Sequence, residues 1–117
     1  MGNPDAREFM TRYLKTVIEA YGIDYFRTDG GPNWANLTDN DDGPDRVGST
    51  EIHYVMGLYQ MWDDLLAAYP HLIIDNCCGG GSRIDLETCS RMTPYWRTDS
   101  TVSSLINRDF DGTAVIS

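Results

Sequence analysis

The chain has 117 residues, room for one domain, and 41% hydrophobic with 23% charged residues is the balance of an ordinary globular protein. Eighteen acidic against nine basic side chains leave a net charge of −9. That charge argues against nucleic acid and anionic lipid as partners, because both are held by clustered Lys and Arg.

The first residues, Met1 to Asp5, carry neither the basic flank nor the apolar core of a secretory signal, so a cytoplasmic location is expected. From Asp5 to Tyr21 the apolar positions Phe9, Tyr13, Leu14, Val17, Ile18 and Tyr21 recur at three- and four-residue steps, which predicts a helix. Asn3 or Asp5 is placed to cap it and Gly22 to stop it. Ile23 to Asp29 is rich in β-formers and ends at Gly30-Gly31-Pro32, the pattern of a strand followed by a break. A long polar loop, rich in aspartate, then runs to Gly48. Its segment from Asp39 to Gly43 does not make a calcium loop. With Gly43 in the sixth place, the first ligand would be Thr38 and the twelfth Ser49.

A second helix is predicted from the stripe Ile52, Val55, Met56, Tyr59, Trp62, Leu66 and Tyr69, with Ser49 or Thr50 as N-cap and Pro70 closing the end. Leu72 to Cys77 reads as a second strand, apolar without alternation, as in a parallel sheet covered on both faces. Gly79-Gly80-Gly81 ends it. A short helix at Asp85 to Arg91 and a third strand at Pro94 to Thr98 complete an αβαβαβ order, which implies a parallel sheet with right-handed crossovers. Val102, Leu105 and Ile106 add a weak helical signal in the tail. No apolar run reaches the roughly 18 to 20 residues of a membrane span. The cysteines Cys77, Cys78 and Cys89 are odd in number, and two are adjacent. His53 and His71 lie in separate segments. No disulfide framework, metal or cofactor is therefore expected.

Two of these strands finish on a carboxylate, Asp29 and Asp99, and a third on Asn76-Cys77 before three glycines. In a parallel α/β sheet the C-terminal strand ends form one edge, where active sites collect. A pair of carboxylates there suits glycoside hydrolysis; Asp after a strand serves equally as a helix N-cap. The glycine run lacks both the dinucleotide and the Walker pattern. It is either a tight turn or a shelf that lets a flat polar ligand approach the backbone. Trp62 belongs to the core. Trp34 and Trp96 serve either as stacking surfaces for a sugar or as packing.

The run Asp75 to Asp85, DNCCGGGSRID, followed by Trp96-Arg97-Thr98-Asp99, resembles the glycine-rich motif and downstream Trp-x-x-Asp of family 36 glycoside hydrolases, the α-galactosidases. Tyr25 to Asp29 is similar to the strand that ends in that family's nucleophile. The resemblance covers Ile23 to Ser100. It implies that Asp29 is the nucleophile and Asp99 the acid/base of a retaining hydrolase acting on a galactoside-like carbohydrate. By that resemblance Cys77 and Gly79 match sugar-contacting positions, with Gly80 and Gly81 as supports; the expected substrate-binding set is Arg27, Trp34, Cys77, Gly79, Gly80 and Trp96, and no metal or cofactor is expected. Arg27 stands where the family usually has Lys, and Gly30-Gly31 where it has bulkier residues.

The fold class expected from the resemblance is α/β: one domain over residues 1–117 that forms part of a TIM (β/α)8 barrel. It would hold about three parallel βα units, strands four to six of the family barrel. Open sheet edges and an apolar inner face then predict a homo-oligomer. The alternative to a hydrolase is a non-catalytic oligomer, or a weak sugar binder, that keeps the motif by descent.

Overall fold

A computed structural model describes residues 1–31, 42–93, 95–96 and 99. The elements are α1 (Pro4–Tyr21), β1 (Tyr25–Thr28), α2 (Ser49–Ala68), β2 (Ile73–Asn76) and α3 (Leu86–Cys89). They divide into two compact units. Of the described residues, one comprises Met1–Asp24 and 42–72 and carries α1 and α2; the other comprises Tyr25–Gly31 and those from Ile73 onward and carries β1, β2 and α3.

In the helical unit α1 begins as its sequence requires. The Asn3 side-chain oxygen accepts from the N–H groups of Asp5 (2.9 Å) and Ala6 (3.4 Å), and Pro4 occupies the first turn, where its missing N–H costs nothing. Gly22 ends the helix in the left-handed region, at φ 62°, and sends its N–H back to the Ile18 carbonyl. Of the predicted apolar stripe only Ile18 is fully buried; Phe9 and Tyr13 are more than half exposed and stack on each other, centroids 6.4 Å apart. Thr11 is buried instead. Its hydroxyl donates to the Arg7 carbonyl at 2.8 Å, which satisfies a polar group in that position.

α2 corrects two expectations. Its buried side chains are Leu58, Met61, Trp62 and Leu65, so Trp62 is the one member of the predicted stripe among them, while Ile52 and Met56 are exposed. The helix is apolar around much of its circumference, and several faces satisfy a three-and-four spacing. The packing partners choose among them. Here these are α1 and the N-terminal residue, whose carbonyl lies where a Cβ on Gly57 would stand. The phenol of Tyr69 donates to Glu19 of α1 at 2.6 Å, a bond that, with burial, pushes its pKa up to about 12.

Second, Ser49 and Thr50 lie inside the helix, and the N-cap is Gly48 at φ 88°, which has no side chain to offer. Asp42 supplies the cap from the loop. Its carboxylate accepts from the N–H groups of Gly48 (2.6 Å) and Thr50 (2.8 Å) and from the hydroxyls of Ser49 (3.1 Å) and Thr50 (2.6 Å). The Thr50 hydroxyl is the largest cause of a pKa lowered to about 2. Pro70 acts one residue early, since the residue before a proline is driven out of the helical region. Tyr69, at φ −132° and ψ 80°, is the C-cap.

In the second unit β1 and β2 pair in parallel, with Tyr25 opposite Ile73, Phe26 opposite Ile74, Arg27 opposite Asp75 and Thr28 opposite Asn76. Both strands are shorter than predicted, although the Cys77 N–H still reaches the Thr28 carbonyl at 2.9 Å. Ile74, Asp75 and Asn76 are buried, as a covered parallel strand requires; Ile73, at the strand's start, is not. Pro94, Arg97 and Thr98 of the predicted third strand lie outside the described residues. What is described there runs parallel beside β2. Asn76 and Tyr95 form a parallel bridge, Thr93 N–H reaches the Ile74 carbonyl at 3.1 Å, and Trp96 N–H reaches the Asn76 carbonyl at 2.8 Å. α3 is one turn, shorter than predicted, closed by a reciprocal pair. Asp85 Oδ1 accepts from the Thr88 N–H at 2.8 Å, and Thr88 Oγ1 accepts from the Asp85 N–H at 3.0 Å. The tail containing Val102, Leu105 and Ile106 lies outside the described residues.

Candidate active site

Side chains two apart on a strand share a face. Tyr25, Arg27 and Asp29 therefore project together from β1 and its end, and Asp75 and Cys77 project beside them from β2, because the register sets Arg27 opposite Asp75. The result is a ladder of polar rungs on one face. Asp75, its side chain 9% exposed, accepts from the Tyr25 hydroxyl and from Arg27 Nη1, both at 3.0 Å. Arg27 Nε lies 3.6 Å from Asp29 Oδ2, so the guanidinium is shared between two carboxylates and sits nearer the buried one. Burial acts to lower the Arg27 pKa, but the bond to Asp75 and its charge outweigh it and the pKa is raised.

Asp29 is half exposed at the end of β1, and its pKa is lowered. The main cause is the Cys77 thiol, which donates to the carboxylate; the Gly30 N–H (2.7 Å) and the charge of Arg27 add to it. Cys77 responds in the opposite sense. Burial and its bond to Asp29 push the thiol up, so it stays a donor. These neighbours favour the charged form of Asp29.

Trp96 has a use that neither stacking on a sugar nor simple packing anticipated. The Arg27 guanidinium carbon lies 5.1 Å from its ring centroid, and its Nε1 donates to Asp99 Oδ1 at 2.7 Å. The ring carries a cation on its face and a carboxylate at its edge. Trp34 lies outside the described residues.

Gly79, Gly80 and Gly81 take φ values of 51°, 66° and 105°, which side-chain-bearing residues rarely adopt. At Gly79 a Cβ would meet nothing closer than Ser82 Oγ at 3.6 Å, so conformation rather than space demands glycine there. Arg83 ties this turn to β1 through the Gly30 carbonyl and Thr28 Oγ1, the latter at 3.2 Å. Gly31 differs from Gly79. A Cβ there would come within 3.1 Å of Cys78 Sγ, so Cys78 fills the space that a side chain at position 31 would use. Among the described residues no group of three or more His, Cys, Asp and Glu could hold a metal ion.

Asp75, Tyr25, Arg83 and Asp42 fall within the motifs read from the sequence but were given no role there. An Arg and an Asp at matching distances from their strand ends would have flagged the first, had the register been known.

The Melibiase family profile matches residues 1–109. Alpha-galactosidase 1 of Pediococcus pentosaceus is 30% identical over 101 residues, which is 86% of this chain and 14% of that protein. The crystal structure of the GH36 α-galactosidase AgaA from Geobacillus stearothermophilus superposes with a TM-score of 0.78 at 23% identity, over 98% of this chain and 16% of that one. Variants of AgaA have been crystallised with stachyose, superposing at 0.82, and with raffinose, at 0.78. The described architecture is therefore an α/β fold resembling part of the GH36 barrel domain, and the chain spans about one seventh of the length of the curated relatives it matches.

Proposed function

Since the chain belongs to the Melibiase family of α-galactosidase-like glycoside hydrolases, we propose that its strand-edge site performs retaining hydrolysis of α-galactosides. Asp29 attacks the anomeric carbon as the leaving oxygen takes a proton from Asp99. Asp99 then removes a proton from water, and that water displaces Asp29 from the sugar. Retention needs the two carboxyl groups roughly 5 to 5.5 Å apart. The observation that carries this reading is the placement of Asp29 at the end of β1, where its carboxylate accepts from the Gly30 N–H at 2.7 Å and pairs with Arg27 Nε at 3.6 Å.

Arg27, Cys77, Gly79, Gly80, Trp96 and Trp34 are assigned to sugar contact. Oligosaccharides of the stachyose and raffinose type are the substrates of choice, because the AgaA variants were crystallised with them. In this reading residues 1–117 are one domain with about three βα units, strands four to six of the barrel. Incubation with an aryl α-galactoside at mildly acidic pH tests it. Asp29→Ala should lower release of the phenol by a factor on the order of 10³ or more; equal release by both proteins overturns the assignment.

Self-association belongs to the same reading, supported by the exposed apolar side chains Phe9, Tyr13 and Tyr21 on α1 and Ile52 and Met56 on α2. Light scattering should return a multiple of 13.2 kDa, and a monodisperse species of that mass contradicts it.

A further inference from the structure

We propose that Asp75 is a positioning residue of this site: from the neighbouring strand it fixes Arg27 so that one guanidinium faces Asp29 and lies against the ring of Trp96. The inference rests on the galactosidase reading for its catalytic meaning, though not for its geometry. Asp75 is 6% exposed, and a carboxylate so buried needs partners. Among the described residues two serve, both on β1 and both at 3.0 Å: the Tyr25 hydroxyl and Arg27 Nη1. These bonds orient the guanidinium plane. Nε is then directed at Asp29 at 3.6 Å, and the Cζ sits 5.1 Å from the Trp96 centroid. Trp96 in turn donates to Asp99 at 2.7 Å. A single buried carboxylate therefore stands behind a chain of contacts that reaches both acids.

The same geometry accounts for Arg at position 27. The side chain must present one N–H to Asp75 and another to Asp29 while laying a flat face on an indole, and a planar fork does all three. A lysine ammonium is a point charge without that plane. Among the described residues, the other groups bonded to Asp29 are the Cys77 thiol and the Gly30 N–H. Cys78 and Arg83 stand at the adjoining Gly31 and Gly30, and Asp99 is reached through Trp96.

The test is a carboxyl-carbon NMR titration of Asp29 in the full 117-residue chain, comparing the parent protein with Asp75→Asn. The variant keeps the volume of the side chain and an acceptor for Tyr25. Two effects act with opposite sign. Removing a negative charge alone lowers the Asp29 midpoint, whereas releasing Arg27 from its orientation raises it. An upward shift is expected. A midpoint that stays or falls overturns the proposal. Should Asp75→Asn fail to fold, Arg27→Lys replaces it: charge is kept and the fork is lost, so the Asp29 midpoint should again rise, and an unchanged value sinks the idea. The titration requires no turnover. An inert protein with the expected shift defeats only the hydrolase reading, and an active protein with an unmoved midpoint defeats only the role of Asp75.

Discussion

The helical unit and the strand unit use their polar side chains differently. In the helical unit the buried set is mainly apolar, Ile18 with Leu58, Met61, Trp62 and Leu65, and the buried Thr11 is satisfied within its own helix, while Asn3 and Asp42 satisfy N–H groups of the first turns. On the strands the ladder Tyr25, Arg27, Asp29, Asp75 and Cys77 places opposite charges and donors on a shared face, next to a turn whose positive φ values three glycines permit. Apolar contact is tolerant of which residue supplies it, because dispersion and burial carry no direction. Hydrogen-bonded rungs are not tolerant, since removal of one partner leaves another unmatched. The lesson is that tolerance differs by region: the first unit can accept exchange of one apolar side chain for another, and the polar ladder of the second cannot accept a change of register.

The largest expected effect concerns the helical unit. Trp62 is 0% exposed, and truncation of a buried Trp to Ala typically costs about 3 to 5 kcal/mol. Trp62→Ala should therefore lower the urea midpoint sharply with little change in the slope of the transition. A shift no larger than that of a surface substitution would mean that apolar packing is not what holds α1 and α2. A smaller effect sharpens the polar side of the contrast. The pKa of Asp42 in the folded chain, about 2, lies below its ordinary value of 3.8, so its contribution to stability is present above about pH 4 and is lost as pH falls through about 2. Asp42→Ala should lower Tm at neutral pH by on the order of a few degrees. It should also flatten the dependence of Tm on pH between 4 and 2. A parallel pH profile in the two proteins would remove Asp42 as the cap of α2.

Much of the site was legible because its residues are punctuated by glycine. Asp29 precedes Gly30-Gly31, Cys77 precedes the triple glycine, and both mark strand ends in a sequence whose helices and strands alternate. The caps were less legible. Asn3 sits next to its helix and follows a local rule, but Asp42 reaches α2 across six to eight residues of loop, with Gly48 standing at the cap position itself. Periodicity also misplaced the buried face of α2, where Ile52 and Met56 are exposed, because a helix apolar on most sides carries no preferred direction until a neighbour covers one of them.

By itself the sequence determined the order of helices and strands, the two parallel strand ends that bear Asp29 and Cys77, and the family to which those motifs belong. These follow from local rules: spacing along the chain, turn-forming glycines and short motifs. Only the tertiary structure decided that Asp75 rather than Asp29 is the nearer partner of Arg27, that Cys78 fills the space beside Gly31, and that Trp96 joins a guanidinium to a carboxylate. Each of those depends on residues some fifty to seventy positions apart meeting at a few ångströms, a relation fixed by strand register and turn geometry and by nothing written locally in the chain.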